Sequence, residues 1–239
     1  MTLPISSRFA SEVFVTGAKV DWGSEKLLND VIDGHGAFLD VGANIGYYSL
    51  YIVPKVPAVY SFEPDPRARK SLEANVSANP KITVVPAAVG ASRGEALFVL
   101  AEGSETSHLT GVSGQGENRI NVEVTTIDAF VAEQKLAVES IKIDAEGFDL
   151  EVLEGAQNVM VDQQPLVLTE AQPAAELFTL TARVGYRVFA FVRDVTTRKR
   201  SFLELRDGIP PRSVTKMLFL VPGRSVERFR VFESSFGSQ

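Results

Sequence analysis

The chain contains, at residues 38–46, the segment Phe38-Leu39-Asp40-Val41-Gly42-Ala43-Asn44-Ile45-Gly46. Its apolar first half predicts a buried strand over 37–41, and its glycines predict a tight turn that leads into a helix over 47–53. Open α/β sheets bind nucleotide-like ligands where a strand passes into such a turn, and glycine lets the backbone approach a ligand closely. The segment therefore predicts a doubly wound α/β domain with its ligand site at this turn.

Short apolar runs alternate with helical stretches along the rest of the chain, a pattern typical of a parallel sheet with crossover helices. Seven core strands are predicted, at residues 37–41, 58–62, 81–85, 140–143, 165–169, 186–192 and 216–221. Two alternating segments, 95–100 and 120–126, predict an added β-hairpin, and a helix is expected over 150–161. The sequence thus divides into an N-terminal arm and helix (1–36), the α/β domain (37–222) and a C-terminal tail (223–239).

Composition excludes several classes of protein. The 239 residues are 45% hydrophobic and 23% charged, as expected for a globular domain with a real core. The absence of cysteine excludes a disulfide scaffold, a thiolate metal site and a cysteine nucleophile. A net charge of −6 disfavours a nucleic-acid substrate. Neither a signal peptide nor an apolar run of about 18 residues is visible, so we expect a soluble, cytoplasmic protein without a membrane partner.

Two ligand classes compete for the glycine turn. A dinucleotide site uses G-x-G-x-x-G, with the pyrophosphate at the helix N-terminus, whereas here the second glycine is Gly46 and falls in a different place. Asp40 precedes the turn, and its carboxylate would repel a pyrophosphate but attract the amino group and sulfonium of S-adenosylmethionine. Glu63 ends the second strand about twenty residues further on, where an acid can accept both hydroxyls of a ribose. Because both ligands contain adenosine, Glu63 indicates an adenosine ligand without choosing between them.

Three acidic residues follow the ends of two further core strands. Asp144 and Glu146 follow the fourth strand, and share a face if that strand stays extended; Glu170 follows the fifth. A carboxylate here could take the proton of an acceptor hydroxyl, an effect worth roughly 10²–10⁴ in rate. His108, in a polar loop over 101–119, is another candidate base. Alternatively, Asp144 and Glu170 hold a divalent metal such as Mg²⁺.

The chain resembles the FkbM family of S-adenosylmethionine-dependent methyltransferases. The resemblance extends over about residues 25–170 and rests on segments 38–49, 62–64, 85–90 and 126–128. Its most specific part is the block over 141–156, which begins Ile141-Lys142-Ile143-Asp144-Ala145-Glu146-Gly147-Phe148-Asp149. General methyltransferases do not share this block.

This resemblance implies a class I methyltransferase (Rossmann-like) fold, with a seven-stranded sheet whose last strand is antiparallel. It also implies O-methylation of a hydroxyl on a sugar, a polyketide or a similar small-molecule natural product. By position, it places Asp40, Gly42 and Asn44 along the methionine half of the cofactor with Gly46 in the same turn, Glu63 at the ribose, Ala87 and Ala88 near the adenine, and Asp144 near the methyl-transfer centre.

The main alternative is an NAD-dependent oxidoreductase or epimerase built on a Rossmann domain. A non-catalytic domain that retains the cofactor site is a further alternative. Since Asp144-Ala145-Glu146-Gly147 stands where methyltransferases of exocyclic amines carry an Asn-Pro-Pro-Tyr type of motif, oxygen is favoured over nitrogen as the acceptor. The expected partner is a small-molecule or glycan hydroxyl acceptor, and the loop over 101–119 is either a lid over it or the end of a hairpin.

Overall fold

The computed structural model describes residues 20–100, 108–110 and 119–236. Its strands in chain order are β1 (Ala37–Val41), β2 (Val59–Phe62), β3 (Ile82–Val85), β4 (Ala88–Val89), β5 (Gly94–Val99), β6 (His108–Thr110), β7 (Arg119–Thr125), β8 (Val138–Ile143), β9 (Leu166–Thr169), β10 (Tyr186–Asp194), β11 (Arg200–Leu205) and β12 (Ser213–Pro222). Its helices are α1 (Ser24–Val31), α2 (Tyr47–Ile52), α3 (Pro66–Val76), α4 (Ile127–Gln134), α5 (Asp149–Glu154), α6 (Gln157–Asp162), α7 (Ala175–Arg183) and α8 (Val226–Phe236).

A central sheet positions the candidate site. Its strand order is β11-β10-β12-β9-β8-β1-β2-β3, and β9, β8, β1, β2 and β3 are mutually parallel. The last strand, β12, runs antiparallel to both β9 and β10. These features confirm the predicted class I methyltransferase arrangement with an antiparallel last strand. The carboxyl ends of the parallel strands meet at one edge of the sheet, where an open α/β sheet binds its ligand.

Both faces of the central strands are buried. All five residues of β1 are buried, and neighbouring side chains point to opposite faces. Phe38 packs into one hydrophobic cluster with Phe189 and Phe219, whereas Leu39 packs into another with Ile141. Since helices must cover both faces, the near-continuous apolar run of this strand is typical of a doubly wound sheet.

The prediction of seven core strands was one too few. The eighth strand, β11, pairs only with β10 among the described residues and forms one edge of the sheet. An edge strand pairs with a neighbour on one side only, and it tolerates polar and charged residues. Because the basic run Arg198-Lys199-Arg200 lies at its start, the sequence pattern did not predict this strand.

The helix expected over 150–161 is also wrong in part, because two short helices, α5 and α6, replace it. The break lies at Gly155, where an added Cβ would stand 2.1 Å from the carbonyl oxygen of Gly90. Close approach of these two backbones requires a glycine, and the chain changes direction there.

The predicted added hairpin is present as the antiparallel pair β5–β7. Two further strands, β4 and β6, extend it to a four-stranded sheet. Of the loop that the sequence suggests as a lid, residues 101–107 and 111–118 lie outside the described part of the chain. The lid therefore stays a prediction.

The predicted C-terminal tail (223–239) contains a short 3₁₀ helix, Gly223–Ser225, and the helix α8. Phe229 of α8 packs its ring against Phe189, Phe202 and Phe219 at centroid separations of 5.7, 6.3 and 5.6 Å. This aromatic cluster attaches α8 to the sheet. Within the described residues, no helix is both long enough and apolar enough to cross a membrane.

Candidate functional site

A cleft of about 220 Å³ opens at the carboxyl ends of β1, β8 and β9. Acidic side chains outnumber basic ones along its wall by five to two. The residues that line it are Val20, Asp21, Asp40, Gly42, Ala43, Asn44, Tyr47, Tyr48, Lys142, Asp144, Glu146, Glu170 and Lys216. The glycine turn after β1 and the acids after β8 and β9 therefore share one site, because the carboxyl ends of parallel strands meet at one edge of the sheet.

The turn after β1 depends on its first glycine. Gly42 has a left-handed backbone (φ +69°), and an added Cβ would stand 1.9 Å from the carbonyl oxygen of Asp144. The ends of β1 and β8 thus approach more closely than any side chain allows. The amide of Asp144 also donates to the carbonyl oxygen of Val41 at 3.1 Å, which holds the two strand ends together.

Backbone amides of this turn are already committed within the protein. Gly42 and Ala43 both donate to the carbonyl oxygen of Phe62, at 3.1 and 3.0 Å. The amide of Asn44 donates to the Glu63 carboxylate at 2.8 Å. A dinucleotide turn instead points its amides at the pyrophosphate. This arrangement counts against the NAD alternative.

Asp40 is fully buried beneath the cleft. Its Oδ2 accepts a hydrogen bond from Ser49 Oγ at 2.5 Å, and Ser49 in turn lies 2.7 Å from Ser61 Oγ. Oδ1 has no hydrogen-bond partner within the described part of the chain and lies 3.8 Å from Lys142 Nζ. Burial raises the pKa of this carboxyl, while Lys142 and the Ser49 hydrogen bond lower it. Lys142 therefore offsets part of the negative charge of Asp40, the charge that the sequence suggests would attract an amino group and a sulfonium.

Sequence reasoning missed that lysine as a functional residue. Lys142 lies in the central strand β8 and is only 4% exposed. Its ammonium donates to the carbonyl oxygen of Gly42 at 3.0 Å and to Asp144 Oδ2 at 3.1 Å. The available signal was a single lysine inside the apolar pattern Ile141-Lys142-Ile143 of a buried strand, where a charge is rarely placed without a partner.

Glu63 follows β2 and is 6% exposed. Its Oε2 accepts from the amide of Asn44 and its Oε1 from the amide of Asp65, both at 2.8 Å. Burial raises the pKa of Glu63 to about 7, against the lowering effect of these two hydrogen bonds. The carboxyl is thus held rigidly beside the glycine turn, where the sequence places it.

This raised pKa predicts how stability depends on pH. A carboxyl whose pKa rises on folding, here from 4.5 to about 7, stabilises the protein fully below the lower value. That contribution is lost as the pH rises through about 7, because the unfolded chain then releases its proton more readily. We expect the urea-unfolding free energy of the wild type to fall between pH 5 and pH 7.5 by more than that of Glu63→Gln, which lacks the titrating group. Equal slopes in the two proteins would contradict the assignment.

The structure brings Asp144, Glu146 and Glu170 to the same cleft, although not along one extended strand. β8 ends at Ile143, and Glu146 has a left-handed backbone (φ +46°). The alternation expected for Asp144 and Glu146 therefore does not apply. Glu146 also lines a neighbouring cavity of about 300 Å³ between α5 and α7, which Glu170 shares.

The carboxyl group of Glu170 has a raised pKa. The residue is exposed, but desolvation of its carboxyl group, followed by the charge of Asp144, raises the pKa to about 8. Lys142 lowers it, and Asp21 and Asp149 raise it further. A carboxyl with this pKa changes its protonation state near neutral pH, as a general base requires.

A further part of the cleft wall comes from Asp21, just before α1, and Glu25 at the start of α1 lies beside it. The sequence did not single out either residue. Asp21 accepts a hydrogen bond from the Tyr48 hydroxyl at 2.6 Å, and Glu25 accepts from the Tyr47 hydroxyl at 3.3 Å. Burial, opposed by the Tyr48 hydrogen bond, raises the pKa of Asp21 to about 6. Both tyrosines follow the glycine turn, so α2 connects this wall to the first strand.

Three basic residues attach the same wall to the sheet. Lys216 Nζ donates to the carbonyl oxygen of Val20 at 2.9 Å, and Arg200 donates to that of Trp22 at 3.2 Å. The guanidinium of Arg193 lies 4.4 Å from the centre of the Trp22 ring. Strands β10, β11 and β12 therefore position the segment that closes the cleft on this side.

The remaining candidate residues lie elsewhere. Ala87 and Ala88 are buried after β3 and are not among the residues that line the cleft. His108 begins β6, and its side chain lies outside the described part of the structure. No group of three or more metal-ligating side chains occurs among residues 20–100, 108–110 and 119–236. Asp144, one of the two expected metal ligands, is instead hydrogen-bonded to an ammonium group, so the Mg²⁺ alternative gains no support here.

Solved structures provide several similar chains. Methyltransferase FkbM from Methylobacillus flagellatus KT is 20% identical, with a TM-score of 0.48 over 79% of this chain and 44% of that one. This chain thus spans less than half of that protein's length. Precorrin-6y C5,15-methyltransferase from Geobacter metallireducens GS-15 is 12% identical, with a TM-score of 0.47 over 86% and 88%. TrmK of M. capricolum, solved with S-adenosylhomocysteine, is 13% identical, with a TM-score of 0.43 over 82% and 65%.

No curated protein matches the chain in sequence. A family model does match it, the methyltransferase FkbM domain, over residues 40–203. This range covers more than half of the chain. It begins at the buried aspartate of β1, includes the glycine turn and the acids after β8 and β9, and confirms the resemblance seen in the sequence. The chain therefore belongs to the FkbM methyltransferase family.

Proposed function

We propose that this chain transfers a methyl group from S-adenosylmethionine to a hydroxyl of a small molecule or glycan, such as a sugar, a polyketide or a related natural product. The observation that carries the proposal is the cleft itself. It joins the family's glycine turn to a carboxyl group, that of Glu170, whose pKa of about 8 suits proton removal near neutral pH.

The donors and acceptors around the turn fit this cofactor. Among residues 20–100, 108–110 and 119–236, the buried Oδ1 of Asp40 finds no hydrogen-bond partner. The excess of acids along the cleft suits a ligand that carries an ammonium and a sulfonium. Each Glu63 oxygen accepts one backbone amide and keeps a second lone pair for a ribose hydroxyl. When bound, S-adenosylmethionine supplies a methyl group on a positively charged sulfur.

Residues of this chain would prepare the acceptor. The Glu170 carboxylate would take the proton of the acceptor hydroxyl, so that the oxygen becomes nucleophilic towards the methyl group that S-adenosylmethionine would supply. Asp144 and Glu146 line the same cleft and can accept hydrogen bonds from the acceptor. Holding the oxygen in line with the methyl group accounts for the rest of the rate enhancement.

The chemistry of the cleft also bears on the partner and the compartment. A cleft rich in acids repels phosphate groups, and the chain carries a net charge of −6, so we propose a small-molecule or glycan acceptor rather than a nucleic acid. A cytoplasmic location is proposed with it, in keeping with the absence of cysteine.

Calorimetric titration with S-adenosylmethionine and, separately, with NAD tests the cofactor. We expect the wild type to bind S-adenosylmethionine alone. Glu63→Gln should bind it about 10- to 100-fold more weakly, because a hydrogen bond to a charged group contributes roughly 1.5–3 kcal/mol. The matched control is Glu95→Gln, an exposed position on β5, which should bind as the wild type does. Binding of NAD, or of neither ligand, would overturn the proposed function.

A further inference from the structure

Lys142 is a charged residue in the middle of the parallel sheet. It is 4% exposed, and its neighbours along β8, Ile141 and Ile143, are fully buried. Removal of an ammonium group from water costs several kcal/mol unless paired charges and hydrogen bonds compensate. The position of its partners therefore indicates what the lysine does.

Those partners lie both in the glycine turn after β1 and among the acids after β8. The ammonium donates to Asp144 Oδ2 at 3.1 Å and to the carbonyl oxygen of Gly42 at 3.0 Å. It lies 3.8 Å from Asp40 Oδ1 and 5.5 Å from the centre of the Tyr48 ring. If Lys142 only balanced the charge of Asp40, its shortest contact would be to Asp40. The shorter contacts are instead those to Gly42 in the glycine turn and to Asp144 after β8.

We propose that Lys142 is a positioning residue, whose single ammonium group orients the Asp144 carboxylate against the Gly42 turn and offsets the negative charge around Glu170. The inference rests on the proposed function, since it assigns Asp144 and Glu170 to the acceptor side. If so, the position of the glycine turn and the pKa of the Glu170 carboxyl both depend on the ammonium group of Lys142.

The electrostatic part of this role involves the titratable groups around Glu170 and Lys142. These are Asp21 before α1, Asp40 on β1, Tyr48 on α2, Glu63 after β2, Asp144 and Glu146 after β8, Asp149 on α5, Glu176 on α7 and Lys216 on β12. Most are acids, and Lys142 lowers the pKa of Glu170 within this set. Without Lys142, the carboxyl of Glu170 should hold its proton to higher pH.

NMR titration can measure this effect without any acceptor. Protein labelled with ¹³C at the glutamate side-chain carboxyl is titrated from pH 5 to pH 10, and the Glu170 signal is assigned by its absence in Glu170→Gln. In Lys142→Met the midpoint of the Glu170 titration should rise by about one pH unit. Lys142→Arg keeps the charge and should return the midpoint towards the wild-type value. Lys70→Met, at an exposed position on α3, is the matched control and should leave it unchanged.

If Lys142→Met does not fold, a second variant allows the same measurement. Asp40→Asn combined with Lys142→Met removes the buried ion pair as a unit, which proteins tolerate better than the loss of one partner. The Glu170 midpoint should rise in this variant too. Calorimetry with S-adenosylhomocysteine should show weaker binding, at least about tenfold, in both variants, because the Gly42 turn has lost its hydrogen-bond donor.

Two outcomes would overturn the proposal for Lys142: an unchanged Glu170 midpoint in the folded variants, or an equal rise in Lys142→Met and Lys142→Arg. Either result would leave Lys142 with a purely structural role. Failure of the proposed function would look different, because the wild type itself would then not bind S-adenosylhomocysteine or S-adenosylmethionine.

Discussion

Replacement of Glu170 by glutamine is expected to lower kcat for methyl transfer by about 10²- to 10⁴-fold, the usual contribution of a positioned general base. Glutamine matches the shape of glutamate but cannot take the hydroxyl proton. The rate of S-adenosylhomocysteine release at saturating acceptor measures the effect. The wild-type kcat should rise with pH and level off above about 8, because the carboxylate is the active form. Glu170→Gln should lose this rise.

The matched control for that experiment is Glu154→Gln, which removes a carboxyl at the exposed end of α5. Its kcat and its pH profile should equal those of the wild type. Binding of S-adenosylhomocysteine should be close to normal in Glu170→Gln, since the glycine turn and Glu63 are untouched. An unchanged kcat in Glu170→Gln would show that Glu170 is not the base and would transfer the role to Asp144 or Glu146.

Replacement of Gly42 by alanine is expected to cause the largest loss of stability among the substitutions at the turn. The left-handed backbone (φ +69°) alone costs a non-glycine residue about 1–2 kcal/mol. In addition, the new methyl group would stand 1.9 Å from the carbonyl oxygen of Asp144 and 2.9 Å from its carbonyl carbon. Because both are backbone atoms, β1 and β8 must move apart. We expect a loss of more than about 2 kcal/mol in urea unfolding, with loss of S-adenosylhomocysteine binding.

Gly185→Ala separates the two contributions. Gly185 also has a left-handed backbone (φ +78°), but nothing lies within 4 Å of an added Cβ. It precedes β10, away from the cleft, so its replacement should cost only the about 1–2 kcal/mol of backbone strain and should leave cofactor binding intact. If Gly42→Ala were no less stable than Gly185→Ala, the close approach of β1 and β8 would not contribute to the site.

Much of the fold follows from patterns that are local in the sequence. The apolar run of β1, the glycines after it and the alternation of strands with helices predicted a doubly wound sheet, and the sheet is present. Edge strands can be harder to recognise, because polar residues are tolerated there. β11 was missed because polar and charged residues interrupt its pattern, whereas β3 at the opposite edge (Ile-Thr-Val-Val) and the mostly buried β8 and β9 were found.

The candidate site divides in the same way. The sequence by itself determined which acids would meet, because parallel strands bring their carboxyl ends to one edge of the sheet. It thereby predicted Asp40, Glu63, Asp144 and Glu170 around the glycine turn. In the structure Asp40, Asp144 and Glu170 line one cleft with that turn, and Glu63 accepts a hydrogen bond from the amide of Asn44. These positions depend on chain order and strand direction, which are properties of the local pattern.

Only the tertiary structure decided the charge state and the walls of that site. Lys142 offsets Asp40 across two strands, and Lys216 holds the segment that carries Asp21 from almost two hundred residues away. Such pairings arise from packing between distant segments, and the pKa of each carboxyl depends on its burial and its neighbours in space. The sequence therefore determined which strand ends carry the acids, and the folded chain determines the pKa of each: burial raises that of Glu63 to about 7 and that of Glu170 to about 8.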